Sequence, residues 1–531
     1  MKTMKSMKKL LALAMVLVMM TGLALSVLAA DPTGSITISP AVTDPNTAKT
    51  TYEAYKVFDM KTTGQTDANG NYTGVSYTIN SAWSDFFASG APGAAYIVDT
   101  DSGDLNPIVI GGVIKYINIT SSNVVDFAKA AFAFAQAKPI APATTQQVDK
   151  GATEVVFSNL PLGYYMVYPK GASIDIESYT SVVSLTSTSP NATIAQKAKY
   201  PTLNKTADDI SVEVGQTVTY TLTSEVPNVT GYNVYEMTFS DTTTAGLTFD
   251  GKDSITVKIG SATLTTSDYS VSTTNPDFAL TINMLKEEGG VKVAKYTAGD
   301  AITITYTATV NKNAVTVISK NHATLTYNND PKNGSNKSTT PPIEIPVYSS
   351  KLKILKVDGN NTATKLQGAK FVLRCKTPGS ATGDTQHPTA GQFYKFTAGS
   401  GTTPDDVSWV TVSANPTIAD LIAKATAGDI TAVVTDANGE AAFDGLEDGV
   451  YELIEIEAPE GYNLVKDPVE VTIAGSSTDA ATLTVTSTVQ DFAGALLPST
   501  GGIGTTLFYV IGAILALGAG VVLVTKRRVR E

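Results

Sequence analysis

The chain has 531 residues, with 38 Lys and Arg against 49 Asp and Glu, a formal net charge of −11, one cysteine and two histidines. That acidic balance argues against nucleic acid and anionic membrane surfaces as partners. The single thiol excludes a disulfide within the chain, and so few soft ligands give little basis for a transition-metal site or any other cofactor.

Residues 1–9, MKTMKSMKK, are basic, and residues 10–28 are almost wholly apolar. Val27-Leu28-Ala29 supplies small residues at a cleavage position, so residues 1–30 read as a secretory signal peptide. The chain beyond residue 30 is rich in Thr, Val, Ser and Tyr, in short alternating runs such as VTYTLT, AITITYTATV and ATLTVTSTV. Such runs predict antiparallel strands in sandwiches. Ser122–Lys138, with an Ala/Phe-rich face, predicts a helix. Thr417–Ala427 predicts another, with Asn415 as its cap and Pro416 in the first turn.

An internal repeat divides the chain. FSNLPLGYYMV (157–167) is similar to FDGLEDGVYEL (443–453). Residues 31–200 and 347–496 therefore read as two related modules, and 201–346 as a different sandwich between them. Cys375 alternates with Phe371 and Leu373 on a strand and reads as a buried small hydrophobe. At the C-terminus, Leu497-Pro498-Ser499-Thr500-Gly501 precedes the uncharged run Thr506–Thr525 and then Lys526, Arg527, Arg528 and Arg530. That run is long enough to span a bilayer as a helix, and the bases after it predict a cytoplasmic end. The expected fold is thus mainly β: three tandem immunoglobulin-like sandwiches, flanked by a signal peptide and a C-terminal transmembrane helix in the segment 497–531.

In a half-buried strand every second residue faces the core. In LKILKVD, Lys356 shares a face with Leu352 and Ile354. In YELIEIEAPEGY, Glu455 shares one with Tyr451 and Leu453. In LTVTSTVQD, Asp491 shares one with Val485 and Val489. The middle module repeats the pattern, with Lys205 beside Leu203, Asp241 beside Phe239, and Asn321 beside Ala323 and Leu325. Charged groups are rarely buried without partners. A buried lysine loses its charge and a buried carboxyl gains a proton, and a neutral amine is a nucleophile. Two such triplets predict intramolecular amide bonds, Lys356 to Asp491 and Lys205 to Asn321, with Glu455 and Asp241 moving protons.

YELIEIEAPEGY resembles the Y-x-L-x-E-T-x-A-P-x-G-Y box of collagen-adhesin B-type domains, with Ile456 in place of Thr. KILKVD resembles the first strand of such domains, which places Lys356 as the bond-forming lysine and Glu455 as the acid. Asp491 stands where Asn is common and would release water rather than ammonia. Residues 201–346 look like the second domain of fimbrial shaft proteins, with Lys205, Asp241 and Asn321 at the matching positions. Aligned on Gly163 and Gly449, Pro169 falls where Glu455 stands, so no bond is expected in residues 31–200.

The terminal Leu497–Gly501 motif, apolar run and basic tail resemble the LPXTG sorting signal of Gram-positive surface proteins. The whole chain resembles a sortase-assembled backbone pilin. That resemblance implies cleavage after Thr500 by a sortase and transfer to a lysine of an identical subunit, then to cell-wall peptidoglycan. The resemblance further implies minor pilins as partners and leaves room for host surface ligands. The product is a secreted, wall-anchored pilus, and the chain modifies itself without being a turnover enzyme. The alternative is a wall-anchored adhesin or minor pilin that is not polymerised. The family's joining lysine lies in W-x-x-x-V-x-V-Y-P-K. Lys197 is the favoured joining lysine for its place in the chain, eight residues before Lys205; Lys170, which has the letters VYPK but lies 35 residues before Lys205, and Lys199 are the alternatives.

Overall fold

The computed structural model describes residues 32–528, apart from 73, 104, 139, 175–181, 196–197, 275–276, 332, 380–386, 401–403 and 495–502. The signal peptide, Lys197 and the motif Leu497–Gly501 therefore lie outside the described residues. The chain forms two compact units. One runs up to Asp208 and takes in Thr217–Thr309 and Ser319–Pro346. The other combines Asp209–Gln216, Val310–Ile318 and the chain from Val347 onward.

In the first unit, β1 (Thr33–Ile38) lies between β3 (Val155–Pro161), antiparallel, and β5 (Asn191–Ile194), parallel. The facing sheet pairs β2 (Lys49–Thr62) with β4 (Gly163–Pro169). Ile36, Ile38, Tyr52, Phe157, Tyr165 and Val167 pack between them. The Ala/Phe-rich segment forms α1 (Val124–Ala137), which buries Phe127, Ala131 and Phe132. The same unit holds a second pair of sheets. One contains β6 (Asn204–Ala207), β7 (Thr217–Glu225) and β10 (Ala301–Val310); the other contains β9 (Phe278–Asn283), β8 (Glu236–Thr243) and β11 (Ser319–Asn328). Strict alternation of buried Ile302, Ile304, Tyr306 and Ala308 with half-buried threonines places β10's apolar face inward.

In the second unit, β12 (Ser350–Asp358) lies between β14 (Glu440–Leu446), antiparallel, and β16 (Thr484–Asp491), parallel. The facing sheet pairs β13 (Lys370–Pro378) with β15 (Gly449–Glu457). This is the arrangement of β1, β3 and β5 again. The repeated Gly-x-Tyr segments also make the same bond: the Tyr165 hydroxyl donates to Pro161 O at 2.7 Å, and Tyr451 donates to Glu447 O at 3.0 Å. Each closes the turn before its strand from four residues downstream. The second helix, α2 (Ile418–Thr426), is capped by Thr417 rather than Asn415. Thr417 and Asp420 form a reciprocal capping box, the signal S/T-x-x-acid that the Asn-Pro pair obscured.

The C-terminal expectation needs correction. Ile503–Arg528 is helical (α3), but among the described residues no helix is long and apolar enough to cross a membrane. The fold is mainly β, and the transmembrane sorting helix expected over Thr506–Thr525 is not supported.

Candidate functional site

Both predicted triplets assemble in sandwich cores. In the second unit, the face of β12 that carries Leu352 and Ile354 ends in Lys356, which is fully buried. β16 runs parallel beside it and brings Asp491 alongside, with Lys356 opposite Val489 and Asp358 opposite Asp491. Glu455 comes from the facing sheet, where it pairs with Phe371. The Lys356 ammonium lies 2.8 Å from Glu455 Oε1 and donates to Asp491 Oδ1. Phe371 sits with its ring centre 5.3 Å from Nζ. Glu455 Oε2 accepts the Val465 amide at 2.8 Å, while Asp491 Oδ2 has no partner. Burial raises the Glu455 pKa against the pull of Lys356. One lysine thus faces two carboxyls in a dry site.

In the first unit, Lys205 projects from β6 and its Nζ donates to Asp241 Oδ2 at 2.7 Å. Asp241 stands on β8 opposite Ala323 of β11, and Asn321 lies two residues away on that strand, on the same face. All three side chains are buried. Burial lowers Lys205 from 10.5 to about 8 and raises Asp241. Tyr306, from the sheet of β6, joins the group. Its hydroxyl donates to Asp241 Oδ2 and accepts from Asn321 Nδ2 at 3.1 Å. Asp241 Oδ1 and Asn321 Oδ1 are buried without partners. Buried polar atoms are seldom left so. Sequence reasoning missed Tyr306. Its signal was a tyrosine on an inward face, where a buried hydroxyl needs a partner.

Among the described residues, the first module shows no such triad. By strand pairing, Ile38 opposite Val155 corresponds to Ile354 opposite Ala441, so Pro40 stands where Lys356 does. Pro169 already replaces the acid.

Of the candidate joining lysines, Lys170 follows β4 directly and pairs with Asp330 Oδ2 at 2.9 Å. The Tyr200 hydroxyl donates to its carbonyl at 3.2 Å. A polar groove of about 500 Å³ borders Lys170, lined by Asp44, Lys49, Thr50, Tyr200, Asn336 and Lys337. Lys199 is exposed and lies 3.6 Å from Glu225. Among the described residues, Asp209, His387 and Glu447 bring potential metal ligands within 4.8 Å of one another. His387 and Glu447 are there joined directly by a hydrogen bond.

Residues 214–332 match the family model described as Gram-positive pilin backbone subunit 2, Cna-B-like domain. This segment is thus similar to a domain of Gram-positive pilin backbones. Residues 350–488 match a prealbumin-like fold domain, and 493–530 match the LPXTG cell wall anchor motif. These families are structural rather than catalytic, and together they support anchoring in the cell wall as part of a surface pilus. The fimbrial subunit type 1 of Actinomyces viscosus is 27% identical over 343 residues, covering 59% of this pilin and 61% of the relative. The chain thus spans about three-fifths of that relative's length. Among solved structures, the group B streptococcus pilus 2b backbone protein is 27% identical, covering 56% of this pilin and 99% of that chain, with a TM-score of 0.40. The major pilin SpaD of Corynebacterium diphtheriae is 20% identical, covering 87% and 98%, with a TM-score of 0.44.

Proposed function

We propose that this pilin is the repeating subunit of a covalent pilus shaft, stiffened by two self-formed amides, Lys356–Asp491 and Lys205–Asn321. A sortase joins Thr500 of one copy to a lysine of the next and passes the last copy to peptidoglycan. The observation that carries the reading is the pair of buried triads, each gathering a lysine of a first strand, an acid, and a carboxyl or amide of a late strand in one core. In each triad the acid accepts the lysine's proton. The neutral amine then attacks the side-chain carbonyl, and water leaves Asp491 or ammonia leaves Asn321.

Lys170 is the joining lysine that the arrangement supports best. In the chain it lies 35 residues before Lys205, which counted against it. In space its contact with Tyr200 and its open groove give a docking tail room to reach the amine. The test is a denaturing gel of the wall fraction from cells carrying Lys170→Ala, Lys197→Ala or Lys199→Ala. A ladder of covalent multimers in the wild type, lost only in Lys170→Ala, is the expected result. A single anchored species in the wild type would instead mean an unpolymerised adhesin or minor pilin.

A further inference from the structure

The two triads differ in one respect that their leaving groups explain. At Asp491 the departing group is an oxygen, and Asp491 Oδ1 already accepts a hydrogen bond from Lys356 Nζ. Once Glu455 has taken the lysine's first proton, the second can therefore pass straight from the nitrogen to the oxygen that leaves. At Asn321 the departing group is Nδ2, which donates rather than accepts in the resting site. The Lys205 proton must reach that nitrogen by another route, because an amide nitrogen leaves only as ammonia.

We propose that Tyr306 is a catalytic residue of the Lys205–Asn321 reaction, relaying a proton from Asp241 to the departing nitrogen. This rests on the amide-forming reading of the triad. The hydrogen-bond chain is continuous: Lys205 Nζ to Asp241 Oδ2 at 2.7 Å, Asp241 Oδ2 to the Tyr306 hydroxyl, and that oxygen to Asn321 Nδ2 at 3.1 Å. Lys205 first gives one proton to Asp241, leaving a neutral amine and a carboxylic acid. The amine attacks Asn321 Cγ. Asp241 hands its proton to the Tyr306 oxygen while Tyr306 hands its own to Nδ2. The C–N bond to Nδ2 breaks, ammonia leaves, and the former lysine nitrogen returns a second proton to Asp241. One amide forms, one ammonia departs, Tyr306 ends as it began, and net charge is unchanged.

The site suits a relay of this kind. Burial and the Asp241 carboxylate push the Tyr306 pKa far above its usual value, so the phenol stays neutral and passes protons without storing one. Its ring stacks on Tyr220 with centroids 5.6 Å apart and meets Phe278 edge-on at 4.8 Å. These contacts hold the hydroxyl on the line between Asp241 and Asn321. The Lys356 triad has the Phe371 ring near its lysine, with no hydroxyl, as a direct transfer to oxygen allows.

Tyr306→Phe keeps the ring and removes the relay. Intact mass of the exported full chain, with peptide mapping, reads each bond separately. In Tyr306→Phe the loss of one ammonia at Lys205–Asn321 is expected to disappear, while the loss of one water at Lys356–Asp491 remains. The double variant Tyr306→Phe/Asn321→Asp converts the leaving group to oxygen and is expected to regain the bond with loss of water. Because it carries the same change at position 306, its cross-link also shows that the sandwich folds without the hydroxyl. A Tyr306→Phe chain that still loses ammonia overturns the relay, as does a double variant that stays unlinked. A wild-type chain that never loses ammonia defeats the amide reading itself.

Discussion

Replacing Glu455 by Gln should leave Lys356 and Asp491 in place but unlinked. Glu455 is the acid 2.8 Å from the lysine, and glutamine cannot take its proton. The linked residues are 135 positions apart. The chain-entropy relation for cross-links assigns a loop of that length about 5 kcal/mol of stabilisation. At an unfolding entropy of about 2.1 cal/mol/K per residue, a sandwich of that size responds by a shift on the order of 15 °C. Calorimetry of the exported chain should show one transition falling by that amount, and mass spectrometry should show one water regained. A water deficit that survives in Glu455→Gln would refute the catalytic role. A regained water with no change in melting would refute the loop-closure argument.

The Lys205 site makes a prediction about pH. In an Asn321→Ala chain the lysine stays free, with its folded pKa at about 8 against 10.5 for an ordinary lysine. Between these values the unfolded state holds more protons, so stability should rise with pH over that window. Thermal melts of Asn321→Ala and Asn321→Ala/Lys205→Met should diverge across it; parallel curves would mean that Lys205 is not depressed. Tyr451→Phe removes the bond to Glu447 O and should cost about 1 kcal/mol in denaturant melts. Thr417→Ala should cost a similar amount by breaking the capping box of α2, and an unchanged midpoint would mean that the cap is idle.

Alternation alone put Lys356, Glu455 and Asp491, and separately Lys205, Asp241 and Asn321, on inward faces, because a strand's two sides differ by a single residue step. Tyr306 was hidden for a related reason. Its contact with Asp241 and Asn321 runs between two facing sheets, and within-strand patterns do not encode which residues meet across a core. Chain distance favours Lys197 over Lys170, and it does not encode that Tyr200 returns to touch Lys170. Asn-Pro reads as a helix start at Asn415, whereas Thr417 has its reciprocal partner three residues on. The Pro40 position needed β1 to be paired with β3 before its equivalence to Lys356 could be drawn.

The parallel pairing of β12 with β16 has a mechanical consequence once Lys356 and Asp491 are joined. Tension entering at Ser350 and leaving beyond Asp491 pulls these two neighbours along their length, so every rung between them is sheared together. With the amide in place, the force runs from Ser350 to Lys356, crosses one side-chain bridge and exits at Asp491. The long stretch of chain between the two linked residues then feels no pull. Such a sandwich does not lengthen under tension, and its resistance is set by the rupture of a covalent bond rather than by the rate at which the domain unfolds.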